Sequence, residues 1–115
     1  MKKWLPALLL ILSFAGVGAE KPLLLGYGVK PCEDYLSVYK RWQQGDDMAL
    51  GQYLFYREWL SGLATGLSLA TNTDVLKGVE ITAALRRAQI NCEEYPDEDF
   101  FNASMRLIRE LSSLN

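Results

Sequence analysis

The sequence predicts an all-α protein: a small four-helix bundle with one disulfide, preceded by a signal peptide. Three observations lead there. Apolar residues recur at three- and four-residue spacing in four separate segments, short runs of Gly, Pro, Asn and Asp divide those segments, and no stretch alternates in the manner of a strand.

Residues 1–19 carry Lys2 and Lys3 in front, an apolar block from Leu5 to about Val17, and small residues Val17 and Ala19 placed for a cut after Ala19. This is the three-part layout of a secretory signal peptide, and the block is too short for a membrane anchor. Cleavage would release residues 20–115 into the periplasm as one domain with no membrane attachment. Loss of Lys2 and Lys3 takes the 12 basic side chains down to ten against 14 acidic ones, a net charge of −4. That balance argues against nucleic acid or an anionic membrane as partner, since both need a basic face.

Cys32 and Cys92 are the only cysteines. In an exported chain they predict one intramolecular bridge, and closing a loop of that length is worth about 4 kcal/mol in the chain-entropy estimate. With no histidine in the chain, two cysteines do not complete a metal site, and no metal or cofactor is expected.

The residues from 20 to 30 contain two glycines and Pro22 around Leu23, Leu24 and Leu25, which reads as an extended or turn-like arm whose leucines cover part of the core. Residues 31–115 form the helical domain.

Its first helix is predicted over 31–44. Pro31 suits a first turn, Glu33 and Asp34 favour the N-terminal dipole, Lys40 and Arg41 the C-terminal one, and Gly45 ends it. Cys32, Tyr35, Leu36, Tyr39 and Trp42 share one face.

The second helix is predicted over 47–69. Met48, Gly51, Phe55, Trp59, Gly62, Leu63 and Gly66 repeat at three and four residues, giving a stripe directed at the core. Each interior glycine costs on the order of 1 kcal/mol against alanine, so Gly62 and Gly66 are expected to admit a neighbouring helix closely. Gly62 and Gly66 also make the G-x-x-x-G pattern of membrane-helix pairs, but the uncharged run from Trp59 to Thr73 is shorter than the roughly 20 residues a span needs. A core helix follows.

A polar connection over 68–74 precedes the third helix, predicted over 74–91, with Asn72 or Thr73 as its cap and Leu76, Val79, Ala83 and Ile90 inside. Arg86 and Arg87 belong to its solvated face. Pro96 is expected to begin the fourth helix, with Asp97, Glu98 and Asp99 in its first turn. Phe100, Phe101, Ser104, Leu107, Ile108, Leu111 and Leu114 give that helix its core stripe.

Chemistry is sparse. Without histidine, Ser-His and Cys-His arrangements are excluded, and the paired carboxylates sit in turns where acidic residues have structural reasons. The glycines lack the context of a phosphate loop. The chain is read as a binding protein and not an enzyme.

Cys32-x-x-Tyr35-Leu36, then Tyr56-x-x-Trp59-Leu60-x-Gly62-x-x-x-Gly66, then Cys92-x-x-x-Pro96 and an amphipathic helix, together resemble the Tai and Rap immunity proteins of type VI secretion systems. The resemblance spans roughly residues 30–112. It implies a periplasmic protein that binds a peptidoglycan amidase toxin and occludes its active-site cleft, often as a homodimer. Tyr35, Tyr56, Trp59, Gly62, Gly66 and Pro96 would be scaffold residues. The partner would be met by loops, for which the candidates are Thr71, Asn72, Thr73 and Asp74, and the acidic turn bearing Glu93, Glu94 and Asp97. An acidic turn would complement a basic cleft rim and speed association.

Two other readings fit the same features. A periplasmic acid-stress chaperone of the HdeA type shares the size, export signal, single disulfide and helical build, and protonation of 14 carboxylates would leave this chain strongly positive. A helical adaptor or structural module is the third.

Overall fold

The computed structural model describes residues 20–114. The signal-peptide expectation for 1–19 lies outside the described residues. A 3-10 turn at Gly26–Val29 leads into four helices: α1 at Cys32–Gln43, α2 at Asp47–Thr71, α3 at Ile81–Glu94 and α4 at Phe100–Ser112. No helix among the described residues is long and apolar enough to cross a membrane.

α1 follows the sequence closely. Pro31 precedes it in extended conformation, Glu33 and Asp34 lie in its first turn, and Gly45 stops the chain beyond it at φ +85°. Cys32, Tyr35 and Tyr39 are buried as expected, joined by Val38, while Leu36 and Trp42 pack against the edge of the core.

α2 departs from expectation in its rotation. Asp46 caps it, its carboxylate accepting from Met48 N at 3.0 Å. The buried face is Ala49, Tyr53, Tyr56, Leu60 and Ala64, about one residue round the helix from the predicted stripe. Met48 is 81% exposed and Phe55 57%, and a Cβ built on Gly51, Gly62 or Gly66 would meet nothing within 4 Å. Thus Gly62 and Gly66 admit no close neighbour within this chain. Both stripes have helical spacing, and the one carrying two tyrosine rings wins because those rings meet aromatic partners. Tyr56 lies 4.8 Å from both Tyr35 and Phe100, edge-on, and Tyr53 stacks on Trp42 at 3.8 Å. Such pairs add to the area they bury. Trp59 and Leu63, from the predicted stripe, are half-buried at its margin.

α3 begins seven residues later than predicted. Residues 74–80 form a turn, because Lys77 (φ +53°) and Gly78 (φ +80°) take left-handed conformations that no helix accommodates. The Asp74 carboxylate accepts from Leu76 N at 3.0 Å and Gly78 N at 2.8 Å, fixing the turn. Asn72, expected as a cap for α3, closes α2 instead at φ +53°, its N–H donating to Ser68 O. Leu76 and Val79 cover the core from the turn, while the helix itself buries Ala84, Leu85, Ala88, Asn91 and Cys92. Ala83 is exposed and Ile90 half-buried.

α4 likewise starts later, at Phe100 and not at Pro96. Asp99 is its cap, the carboxylate accepting from Asn102 N at 2.8 Å. Asp97 and Glu98 therefore belong to the preceding turn. The predicted stripe is otherwise present, with Phe100, Ser104, Leu107 and Ile108 buried and Leu114 exposed.

The bridge Cys32–Cys92 forms, its Cα atoms 5.1 Å apart, tying the start of α1 to the end of α3. Around it the core is unusually rich in tyrosine: the Tyr35 hydroxyl donates to Leu85 O at 2.7 Å, and Asn91 Nδ2 to Ala103 O at 3.2 Å. The arm behaves differently from expectation. Leu23 and Leu25 are 83% and 75% exposed and leave the core uncovered. What docks is the Tyr27 ring, edge-on to Tyr56 at 4.8 Å, together with backbone: Trp59 Nε1 donates to Leu25 O at 2.9 Å and Gly28 is buried beneath the indole.

Candidate functional site

Of the two loops named from the sequence, Thr71–Asp74 closes α2 and Glu93–Asp99 closes α3. The 14 residues of α3, about 21 Å long at 1.5 Å per residue, and the turn at 74–80 lie between them in the chain.

The turn from Glu93 to Asp99 is fixed from three sides. Cys32 N donates to Glu98 O at 2.9 Å and Phe100 N to Lys30 O at 2.9 Å, so Pro31 and Asp99 pair as a single β-bridge. The disulfide enters at Cys92. Arg106 pairs with Glu98 and lays its guanidinium over the Tyr95 ring, 3.6 Å from the centroid. Glu93 and Glu94, expected in the turn, are the last residues of α3, and they are left exposed with Pro96 and Asp97 of the turn that follows. Gln89 reaches Glu93 from the preceding turn of α3.

The other loop is smaller. Thr71 donates its hydroxyl to Leu67 O at 2.7 Å, Asn72 and Thr73 are exposed, and both Asp74 oxygens are occupied by backbone N–H groups of their own turn. Its polar groups are largely satisfied within the chain.

The scaffold residues divide. Tyr35 and Tyr56 are core, and burial raises the pKa of both phenols, with neighbouring tyrosines adding at Tyr35 and the Asp34 charge adding at Tyr56. Trp59 holds the arm. Gly62 and Gly66 face outward.

One concavity escaped the sequence. Lys30, Asp34, Ser37 and Arg41 line up along one side of α1 and its approach, and with Gln52 and Tyr56 of α2 they enclose a polar cleft of about 210 Å³. The spacing of 30, 34, 37 and 41 is that of one helix face, which is the only signal the sequence held. Without knowing that α2 lies alongside, that face reads as solvated.

No family model, curated protein or solved structure matches the chain.

Proposed function

We propose that this is a periplasmic immunity-type protein that binds an amidase toxin of a type VI secretion system and occludes its active site without turnover. The observation that carries the reading is the acidic turn at Glu93–Asp99. The exposed carboxylates of Glu93, Glu94 and Asp97 sit beside a backbone tied by a disulfide, a β-bridge and the Arg106–Glu98 pair. A turn ordered before contact loses little conformational freedom on binding, and its charge attracts a basic cleft rim. The likeness of Cys32-x-x-Tyr35, Trp59-x-x-Gly62-x-x-x-Gly66 and Cys92-x-x-x-Pro96 to the Tai and Rap proteins supplies the class of partner. Association into dimers belongs to the same reading.

The test is co-expression of the exported protein with periplasm-directed amidase toxins, including any encoded beside its gene. Survival together with a stable co-purifying complex, both reduced by Glu93→Lys with Asp97→Lys, is the expected result. Lethality of every toxin, with no complex, overturns the reading.

A second reading has one observation in its favour. Leu23, Leu25, Met48, Phe55 and Leu69 are exposed apolar side chains on the arm and on α2, a surface that would suit an unfolded client. Suppression of client aggregation at acid pH but not at neutral pH would favour the HdeA-type chaperone.

A further inference from the structure

We propose that the outward face of α2 is where a second copy of this chain docks, packing its own α2 against the first in the antiparallel sense about a two-fold axis between Glu58 and Trp59. The surface lies away from the acidic turn, and it stands or falls independently of the amidase reading because its test contains no toxin.

The face has no partner within the chain. Met48, Gly51, Phe55, Gly62, Gly66 and Leu69 follow one another at helical spacing and share the side of α2 turned away from the buried Tyr53, Tyr56 and Leu60. Met48 and Leu69 are 81% and 79% exposed and Phe55 57%, and a Cβ at any of the three glycines would meet nothing within 4 Å. Large apolar groups and open notches therefore alternate along a surface that this chain leaves in water.

The order of those groups identifies the occupant. The spacing along the face reads the same from either end, with a long apolar side chain at each extremity, a glycine next to it, and Phe55 and Gly62 flanking the centre. A half rotation about the point between residues 58 and 59 sets Met48 over Leu69, Gly51 over Gly66 and Phe55 over Gly62. A two-fold interface needs a patch complementary to itself, in which residue i meets j and j meets i. Here the Phe55 ring of each copy enters the notch that the other leaves at Gly62, and the paired glycines let the two backbones approach. Parallel packing would instead set Phe55 on Phe55 and leave the glycine notches empty, forfeiting those contacts. The symmetry belongs to this chain's own sequence, which singles out a second copy among possible partners.

Area sets the strength. From Met48 to Leu69 is about 32 Å along a helix about 10–12 Å across, a footprint on the order of 350 Å² per copy. A standard interface takes about 800 Å² per partner. The arm enlarges the patch, since Tyr27 lies 5.4 Å from Phe55, Trp59 holds Leu25 O, and Leu23 and Leu25 are exposed. Glu58 is the one charge near the middle of the face, and the axis brings its two copies together at some cost. A reversible dimer with a micromolar dissociation constant follows.

Sedimentation velocity of the oxidised protein from roughly 10 µM to 1 mM brackets that constant and should show a dimer growing with concentration. Gly66→Glu puts a charge into the contact where the single chain has open space, so it should weaken the dimer by at least about tenfold while leaving the thermal midpoint of dilute protein unchanged. Thr82→Glu, an equal charge on α3, should leave association as it was. Phe55→Gly and Gly62→Phe should each weaken the dimer by about tenfold, and the two together should recover most of the loss, because ring and notch have changed places. Glu58→Gln should tighten association. A monomer across the whole range, a dimer indifferent to a folded Gly66→Glu protein, or no recovery in the folded double variant would each overturn the proposal.

Discussion

The backbone of Gly28 lies directly against the indole of Trp59: a Cβ built at Gly28 would fall 2.0 Å from Cζ2 and 2.4 Å from Cη2. The same indole donates from Nε1 to Leu25 O, so one side chain holds both the close approach and the bond that seat the arm. Gly28→Ala should push the ring out and break that bond, at a cost of about 1–3 kcal/mol for overpacking. Urea unfolding should show a lower midpoint, accompanied by a shifted tryptophan emission in the folded state. An unchanged midpoint would mean that the arm is not seated as described.

The outward glycines of α2 predict the opposite sign. Nothing lies within 4 Å of a Cβ at Gly51 or Gly62, and both are helical. Gly51→Ala and Gly62→Ala should each stabilise the protein by about 0.5–1 kcal/mol through helix propensity alone. A loss of stability at Gly62 that grows with protein concentration would reveal a covering surface from a second copy.

The bridge between Cys32 and Cys92 closes a separation of 60 residues. Replacing both cysteines by serine should remove about 4 kcal/mol, the loop-closure estimate, a large share of the stability expected of so small a domain. Denaturant titrations of the oxidised protein and of the double variant measure the difference directly. Because the bridge also meets the Glu93–Asp99 turn, the variant should show faster exchange of the amides at position 32 and at Phe100, which bond Glu98 O and Lys30 O.

Alkaline pH should unfold the protein through its tyrosines. Burial holds the phenols of Tyr35 and Tyr56, and to a lesser degree Tyr39 and Tyr53, above the ordinary value of 10.0. A raised folded-state pKa leaves its stabilising contribution intact below the unfolded value and removes it as pH climbs beyond. Thermal midpoints should therefore fall steeply above about pH 10, and Tyr35→Phe with Tyr56→Phe should flatten that fall. A midpoint flat through pH 11 in the parent protein would contradict the burial of these rings.

The helix count and the cysteine pairing were legible because turn residues punctuate the helices locally and two cysteines allow a single pairing. Gly45, Pro31 and the acidic turn before Phe100 mark boundaries whatever the helices pack against. The rotation of α2 was not legible. Met48, Gly51, Phe55 and Trp59 have the same spacing as Ala49, Tyr53, Tyr56 and Leu60, and only the positions of Tyr35 and Phe100 in space choose between them. The late start of α3 was partly visible in Gly78, but a left-handed Lys77 carries no sequence mark. Of the candidate site, the acidic turn could be named from its residues, whereas its brace through Lys30 O and Glu98 O is made by backbone and leaves no trace in side-chain identity. The polar cleft needed the α1 and α2 faces brought side by side.

The lid over the tyrosine cluster is made last. Synthesis delivers α1 and α2 first, with Tyr35, Tyr53 and Tyr56 already in the chain, while Leu85, Cys92 and Phe100, which receive the Tyr35 hydroxyl, the Cys32 sulfur and the rings, emerge at the end. The long-range contacts cannot close until then. A nascent fragment ending before Ile81 would display a sticky aromatic surface with nothing to cover it, so completion of the chain, and not the formation of any early helix, commits this protein to its native state.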